Sequence, residues 1–356
     1  MSLVQLPAAE AVPELARFDA VIDVRSPAEF AEDHLPGAVN WPVLDDEQRK
    51  TVGTLYVQVS PHEARKVGAA MVSRNIADHL ERQVRDLPRE WRPLVYCWRG
   101  GQRSGSLALV LGQVGFRTAQ LQGGYKAFRA IVREQLSTSP ARFSWRVLCG
   151  RTGSGKTRLL QAIAAAGGQV LDLEGLALHR GSILGALPGR PQPSQKHFDT
   201  RVWQALQALD PARPVFVESE SARIGNLRVP EVLILQMHEQ GRRLRVEMDD
   251  AARIALLQHD YAELTEDGER FARQLEPLIE LRGRALVGSW QALALAGRWP
   301  EVIGALMAQH YDPLYERSMA RSYPGLADAP RVDLGDGSVG ALAAVAAQLL
   351  AEAQAA

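Results

Sequence analysis

The chain has 356 residues, 46% apolar and 23% charged, with a formal net charge of +0, which predicts two soluble domains and excludes a uniformly basic protein, so any nucleic-acid partner needs a local patch. Its cysteines are Cys97 and Cys149, without a C-x-x-C pair, and its eight histidines are scattered; no zinc site is legible and no metal is assigned. No apolar run approaches the ~20 residues of a membrane span, and Met1 to Leu15 lacks the order of a signal peptide, so a cytoplasmic protein with no membrane partner is expected.

Phe18 to Arg25 reads as a short buried strand ending in charge. Ser26-Pro27-Ala28-Glu29 then supplies an N-cap, a first-turn proline and a capping-box glutamate. His34 to Asn40 is a turn leading into another strand, and Asp46 to Leu87 is mostly helical with a break at Ser60-Pro61. Pro93 to Tyr96 is a strand running into Cys97, a glycine-rich turn, and a helix over Gly105 to Val114. That order aims backbone N–H groups and a helix N-terminus at the sulfur, and both favour a thiolate. Cys97 is therefore the candidate nucleophile, with Trp98, Arg99, Gly100, Gly101, Gln102, Arg103 and Ser104 as its anion-binding loop. A buried structural cysteine is the plainer alternative, but glycines and arginines make a poor apolar pocket. Cysteine followed after five residues by arginine also occurs in cysteine-dependent phosphatases, so the loop alone leaves the chemistry open. Thr118 to Leu121 is a further strand, Gly123-Gly124 a turn and Tyr125 to Leu136 a helix. The alternation predicts a parallel sheet covered on both faces.

Asp23-Val24-Arg25-Ser26-Pro27-Ala28-Glu29-Phe30 and His34-Leu35-Pro36-Gly37-Ala38-Val39-Asn40 are similar to the N-terminal signature of rhodanese domains. The resemblance places Cys97 where those sulfurtransferases carry a persulfide. The loop here is one residue longer than the common C-x-x-G-x-R, so a wider ring of N–H groups can take a larger anion bearing phosphate or selenium. Asp23 and Arg25 are expected to brace the sheet edge and loop, and His34 the turn.

Ser137-Thr138-Ser139-Pro140 marks the boundary between domains predicted over 1–137 and 138–356. Arg146 to Cys149 is a strand leading into Gly150-Arg151-Thr152-Gly153-Ser154-Gly155-Lys156-Thr157, a full G-x-x-x-x-G-K-T match, and then a helix over Arg158 to Ala166. Strand, glycine loop and helix are the context that motif requires. Gly150, Gly153, Ser154, Gly155, Lys156 and Thr157 form the candidate phosphate site, and Cys149 is expected to be structural. Gln169 to Leu173 is the next strand, with Asp172 leading into Glu174. Pro214 to Glu218 is another, ending where a P-loop protein supports magnesium; Glu218 can do this or pair with an arginine. Val232 to Met237 reads as a fourth strand, Asp249 to Gly304 as largely helical, and Leu342 to Ala353 as a final helix. Arg180 and Lys196 in two polar loops, with the cluster Arg242, Arg243 and Arg245, are candidate contacts to tRNA or phosphate. The fold class is α/β: an N-terminal rhodanese-like parallel-sheet domain and a C-terminal P-loop NTPase-like domain with a helical extension.

The pairing is more specific than either half. With Tyr96-Cys97-Trp98-Arg99-Gly100-Gly101, Asp172 to Ala177, Pro193-Ser194-Gln195-Lys196 and His310-Tyr311-Asp312-Pro313-Leu314-Tyr315, the chain resembles the tRNA 2-selenouridine synthases over nearly its whole length. The resemblance implies replacement of sulfur by selenium on wobble 2-thiouridine in the anticodon arms of tRNAs for lysine, glutamate and glutamine. It also implies selenophosphate as donor, with an enzyme to supply it, and an S-geranyl intermediate made from geranyl diphosphate. No tightly bound cofactor is expected beyond magnesium near Glu218. A P-loop can stabilise the departing diphosphate, and Cys97 can carry selenium as a perselenide. The P-loop residues fit tRNA phosphate or a nucleotide equally well. A cysteine-dependent sulfurtransferase or phosphatase coupled to an NTPase stays open, as does a nucleotide-dependent RNA-binding protein with an inert first domain.

Overall fold

The structure, a computed structural model, describes residues 4–182, 185–187, 189–262 and 267–354. The chain forms two compact units: Met1–Leu136 with Pro193–Gln204, and Ser137–Gln192 with Ala205–Ala356. The segment Pro193–Gln204, assigned to the second domain on sequence contiguity, thus belongs to the first unit. Its apolar side chains decide this: Phe198 and Val202 are fully buried, and Trp203 meets the Phe128 ring edge-on at 5.5 Å.

In the first unit, β1 (Val4–Pro7), β2 (Ala20–Asp23), β3 (Ala38–Asn40), β4 (Pro93–Tyr96) and β5 (Ala119–Gln122) form one sheet in the order β1-β5-β4-β2-β3. Every pairing is parallel. All four residues of β4 are buried, as a central strand covered on both faces requires. Chain order runs outward in opposite directions on its two sides, so its C-terminal end is a topological switch point where open parallel sheets bind ligands. Cys97 follows that end directly. β1 was not anticipated; its register with β5, Val4 opposite Ala119, supplies the pairing that four short residues could not signal alone.

In the second unit, β6 (Trp145–Cys149), β7 (Gln169–Leu171), β8 (Val215–Glu218), β11 (Arg242–Glu247) and β12 (Arg331–Asp333) form a second parallel sheet, in the order β12-β11-β6-β8-β7. β9 (Arg223–Ile224) and β10 (Leu227–Arg228) make a separate antiparallel pair. The helix Lys156–Ala165 turns Leu159, Leu160 and Ile163 onto the sheet, where Leu342, Ala346 and Leu349 of the final helix Val339–Gln354 join the same core. The expected strand over Val232 to Met237 is instead the helix Glu231–Glu239. Its buried residues Leu233, Ile234 and Met237 share one helical face, a pattern that a short apolar run does not separate from a buried strand. A helical region follows, with a core of its own around Trp290, Phe271 and Leu306.

Candidate active site

The Cys97 loop is held from outside by bonds to its carbonyls. Tyr125 and Lys126 donate their backbone N–H to the carbonyls of Cys97 and Trp98, both at 2.9 Å, from the first turn of the helix Gly124–Thr138. Gln120 on β5 donates its side-chain amide to the carbonyls of Gly100 and Gly101 at 2.9 and 3.0 Å. With those carbonyls occupied, the N–H groups from Trp98 to Arg103 have no acceptor among the described residues. The loop therefore presents donors to whatever enters it. The close approach depends on glycine: Gly100 and Gly124 both have positive φ, and a side chain on either would collide with the facing backbone.

Cys97 is 4% exposed and packs with Val95, Leu107 and Ala108, so the plainer reading of a buried strand-end cysteine describes its surroundings on one side. On the other side the Ser104 hydroxyl donates to Cys97 Sγ at 3.2 Å and accepts from the Gln120 amide at 2.8 Å. Gln120 carries no sequence signal of its own; only the β4–β5 pairing brings it here. Arg103 reaches Glu29 Oε2 at 2.8 Å, which ties the loop to the capping box after β2. Arg99 and Gln102 are exposed.

Asp23 and Arg25 brace this arrangement. Both are fully buried, joined through Arg25 Nε and Nη2, and the Arg25 guanidinium lies 3.9 Å from the Tyr125 ring centre. The Tyr125 hydroxyl donates to Asp33 at 2.8 Å. His34 Nδ1 donates to the Phe30 carbonyl at 3.0 Å, and its ring stacks on the Phe30 ring at 4.0 Å.

In the second unit, Gly153 and Gly155 adopt positive φ in the glycine loop, and Lys156 donates to the carbonyls of Gly150 (2.7 Å) and Arg151 (3.3 Å). A side chain at Gly150 would strike Ser154 and the Val246 carbonyl. Arg253, fully buried, fixes the loop from behind: it donates to the Thr152 carbonyl at 2.7 Å and forms a two-point pair with Asp312 at 2.6 and 3.0 Å. Asp312 was visible only as a letter in the His310–Tyr315 motif, and Arg253 not at all.

The loop opens on a cavity of about 940 Å3 lined also by Glu174, Arg180, Glu218, Glu220, Tyr261, His310, Tyr311 and Tyr315. Burial, then the neighbouring Glu220 and Glu218, pushes the Glu174 carboxyl up to about 10. Burial, then Glu218, pushes Glu220 up to about 8. With the acidity of Glu174 and Glu220 weakened by burial, these carboxyls oppose an anion less, and Lys156 and Arg180 bring positive charge to the cavity. Glu218 is 5% exposed, its Oε1 has no partner, and it contacts the Thr157 hydroxyl rather than an arginine. Among the described residues no group of three or more His, Cys, Asp or Glu is arranged to hold a metal ion. Glu218 and Thr157 suit a magnesium ion that takes its remaining ligands from phosphate and water.

Of the candidate nucleic-acid contacts, Arg180 lies over the Tyr261 ring at 5.0 Å, in the cavity wall. Lys196 belongs to the first unit and pairs with Glu32 at 2.6 Å. Arg242, Arg243 and Arg245 lie on β11, where Arg243 and Arg245 donate to the carbonyls of His238 and Ala327 and only Arg242 is exposed. Cys149 is fully buried, and burial pushes its thiol up to about 12, which suits the structural role expected of it.

Residues 8–131 match the family model of the rhodanese-like domain, and residues 143–282 that of the tRNA 2-selenouridine synthase AAA domain. A tRNA 2-selenouridine synthase of Hydrogenovibrio crunogenus is 33% identical over 329 residues, covering 85% of this chain and 89% of the relative. One from Marinobacter nauticus is 34% identical over 333 residues, covering 85% and 88%. One from Nitrosomonas europaea is 39% identical over 215 residues, covering 59% and 55%.

Proposed function

The chain belongs to the tRNA 2-selenouridine synthases, enzymes of tRNA modification, and on that premise we propose that it converts wobble 2-thiouridine to 2-selenouridine in two separable steps. The substrates are tRNAs for lysine, glutamate and glutamine, met at the anticodon arm. Geranyl diphosphate and selenophosphate are the co-substrates, the latter made by a separate selenophosphate-supplying enzyme in the cytoplasm. Among the described residues no helix is long and apolar enough to cross a membrane. The observation that carries the reading is the pair of anion sites of different character. One is a ring of N–H donors around a thiol, the other a lysine-bearing glycine loop opening on a part-apolar cavity.

In the first step the 2-thio sulfur attacks C1 of the geranyl group, the C–O bond breaks, and diphosphate leaves. Charge develops on the departing oxygen, where Lys156 and the glycine-loop N–H groups stabilise it. A bound magnesium ion would add Lewis-acid charge there, held by Thr157 and Glu218. Alkylation turns a poor leaving group into a good one. In the second step selenium attacks C2 of the base and geranyl thiol departs.

Electron counting refines the role of Cys97. Selenium in selenophosphate is already at −II, so a perselenide on Cys97 would require an oxidant or expel a reduced phosphorus species. Attack of the Cys97 thiolate on phosphorus balances: the S–P bond forms, the P–Se bond breaks, and selenium leaves as the nucleophile. Water then hydrolyses the thiophosphate. The ring of N–H groups suits a phosphoryl group, and the Ser104 hydroxyl stabilises the sulfur when it departs.

The test supplies 2-thiouridine anticodon stem-loop, geranyl diphosphate and selenophosphate to the full-length protein, with nucleosides quantified by mass spectrometry. Formation of S-geranyl-2-thiouridine without selenophosphate, and of 2-selenouridine with it, supports the reading. Selenation that proceeds with no geranyl donor and no geranylated species overturns the proposed sequence.

A further inference from the structure

Beside the glycine loop the large cavity adjoins a narrow slot of about 50 Å3. Thr152, Ser182, Leu257, Tyr261 and Tyr311 line both spaces, so the two adjoin across these side chains. The residues that line the slot alone are Phe271, Trp299, Ile303, Leu306 and Met307, which therefore form its end away from the phosphate site. Among the described residues no charged side chain lines it. Its polar side-chain atoms among those residues are the Trp299 indole N–H and the hydroxyls of Thr152, Ser182, Tyr261 and Tyr311 at the shared rim, where Ser182 and Tyr261 bond each other at 3.0 Å.

A phosphate cradle beside an apolar slot favours a particular kind of molecule. A nucleotide would bring a base and a ribose, whose donors and acceptors would go unpaired against Phe271, Ile303 and Leu306, and each unpaired polar group is costly. A hydrocarbon ester of diphosphate carries no such groups beyond its charged end. The slot is small beside the 940 Å3 of the cavity. It takes the end of a chain, with the rest lying along Leu257, Tyr261 and Tyr311.

Resting on the function proposed above, we infer that this slot receives the terminal methyl groups of the prenyl diphosphate and that Trp299 and Ile303 set the chain length transferred. Trp299 meets the Phe271 ring edge-on at 5.4 Å, which gives the slot a rigid wall, and Ile303 is 8% exposed within it. The same residues belong to the core of the helical region, so the competing explanation is a mere packing gap. The two explanations differ in what filling the slot does.

The experiment uses full-length protein and 2-thiouridine stem-loop with dimethylallyl, geranyl and farnesyl diphosphates in competition, the prenylated nucleosides being quantified by mass spectrometry. Ile303→Phe should shift the dimethylallyl-to-geranyl product ratio at least tenfold upward, since single-methylene misfits already cost about tenfold or more. Trp299→Leu should raise the farnesyl-to-geranyl ratio by a similar factor, and unlike Trp299→Ala it keeps a large apolar residue against the core of the helical region. Binding of inorganic diphosphate should be the same in all forms. Unchanged product ratios in variants that melt as folded proteins overturn the inference and leave a packing gap, while the function stands. Failure of the unsubstituted protein to transfer any prenyl group overturns the function itself, and the inference with it.

Discussion

The Thr200 hydroxyl donates to Asp33 Oδ2 at 3.0 Å, across 167 residues of sequence. Asp33 is fully buried and takes the Tyr125 hydroxyl on the same oxygen, with His197 Nδ1 3.4 Å from Oδ1 and Arg129 Nη1 3.6 Å from Oδ2. One carboxylate thus joins the segment Pro193–Gln204 to Tyr125, whose backbone N–H holds the Cys97 carbonyl. Asp33→Ala would leave the Tyr125 and Thr200 hydroxyls without their shared acceptor, while Arg129 keeps Asp199 at 2.9 Å, at a cost of about 2 kcal/mol or more. Denaturant unfolding should show that loss, and a fragment ending at residue 137 should unfold more readily than one to which residues 193–207 are joined. Equal stability of the two fragments would remove the segment from the first unit's core.

The two cysteines should behave oppositely. Cys97→Ala should stay folded, make S-geranyl-2-thiouridine and fail to convert it. Cys149→Ser should retain selenation, because that thiol is buried and pushed up to about 12. Ser104→Ala should slow selenation without slowing geranylation, its hydroxyl being bonded to Cys97 Sγ. Mass spectrometry of both nucleosides decides all three.

Lys156→Ala should block the alkylation. Loss of a charged contact to a developing anion costs about 3 kcal/mol, roughly a hundredfold in rate. Given stem-loop already S-geranylated, the variant should still exchange sulfur for selenium. Normal geranylation with failed selenation would assign the glycine loop to another ligand.

The cavity acids predict a pH dependence of stability. The folded-state values of Glu174 and Glu220 are raised from 4.5 to about 10 and about 8. Between 4.5 and those values the folded protein binds protons that the unfolded chain has released, so stability falls as pH rises through that window. The melting temperature of the second unit should therefore decline from weakly acidic to alkaline pH. Glu220→Gln should flatten the part of that decline that lies below about pH 8. A melting temperature that climbs with pH would contradict the burial of these carboxyls.

Binding of tRNA should be local and electrostatic, because the chain carries no net charge. Affinity should fall steeply with added salt. Arg242→Glu should weaken binding while leaving the melting temperature close to that of the parent, since Arg242 is exposed. Arg243→Glu should lower the melting temperature instead, because its guanidinium holds the His238 carbonyl. A salt-independent dissociation constant would rule this out.

By itself the sequence determined the local devices: the capping box at Ser26 and Glu29, the strand–cysteine–glycine turn at Cys97, and the strand–loop–helix at Lys156. Each is written in adjacent residues whose backbone preferences and charges act within a few turns of chain. It misled over Val232 to Met237, which reads as a strand and folds as a helix, because a short apolar run buries equally well either way. Tertiary structure decided that, and also everything that depends on residues far apart in the chain. Gln120 reaches the Cys97 loop only because β5 lies beside β4. Arg253 and Asp312 meet across 59 residues to fix the glycine loop. Thr200 meets Asp33 in a segment whose Phe198, Val202 and Trp203 are buried in the first unit. The hydrophobic effect that drives such burial is blind to sequence distance, so contacts of this kind appear only once the chain has folded.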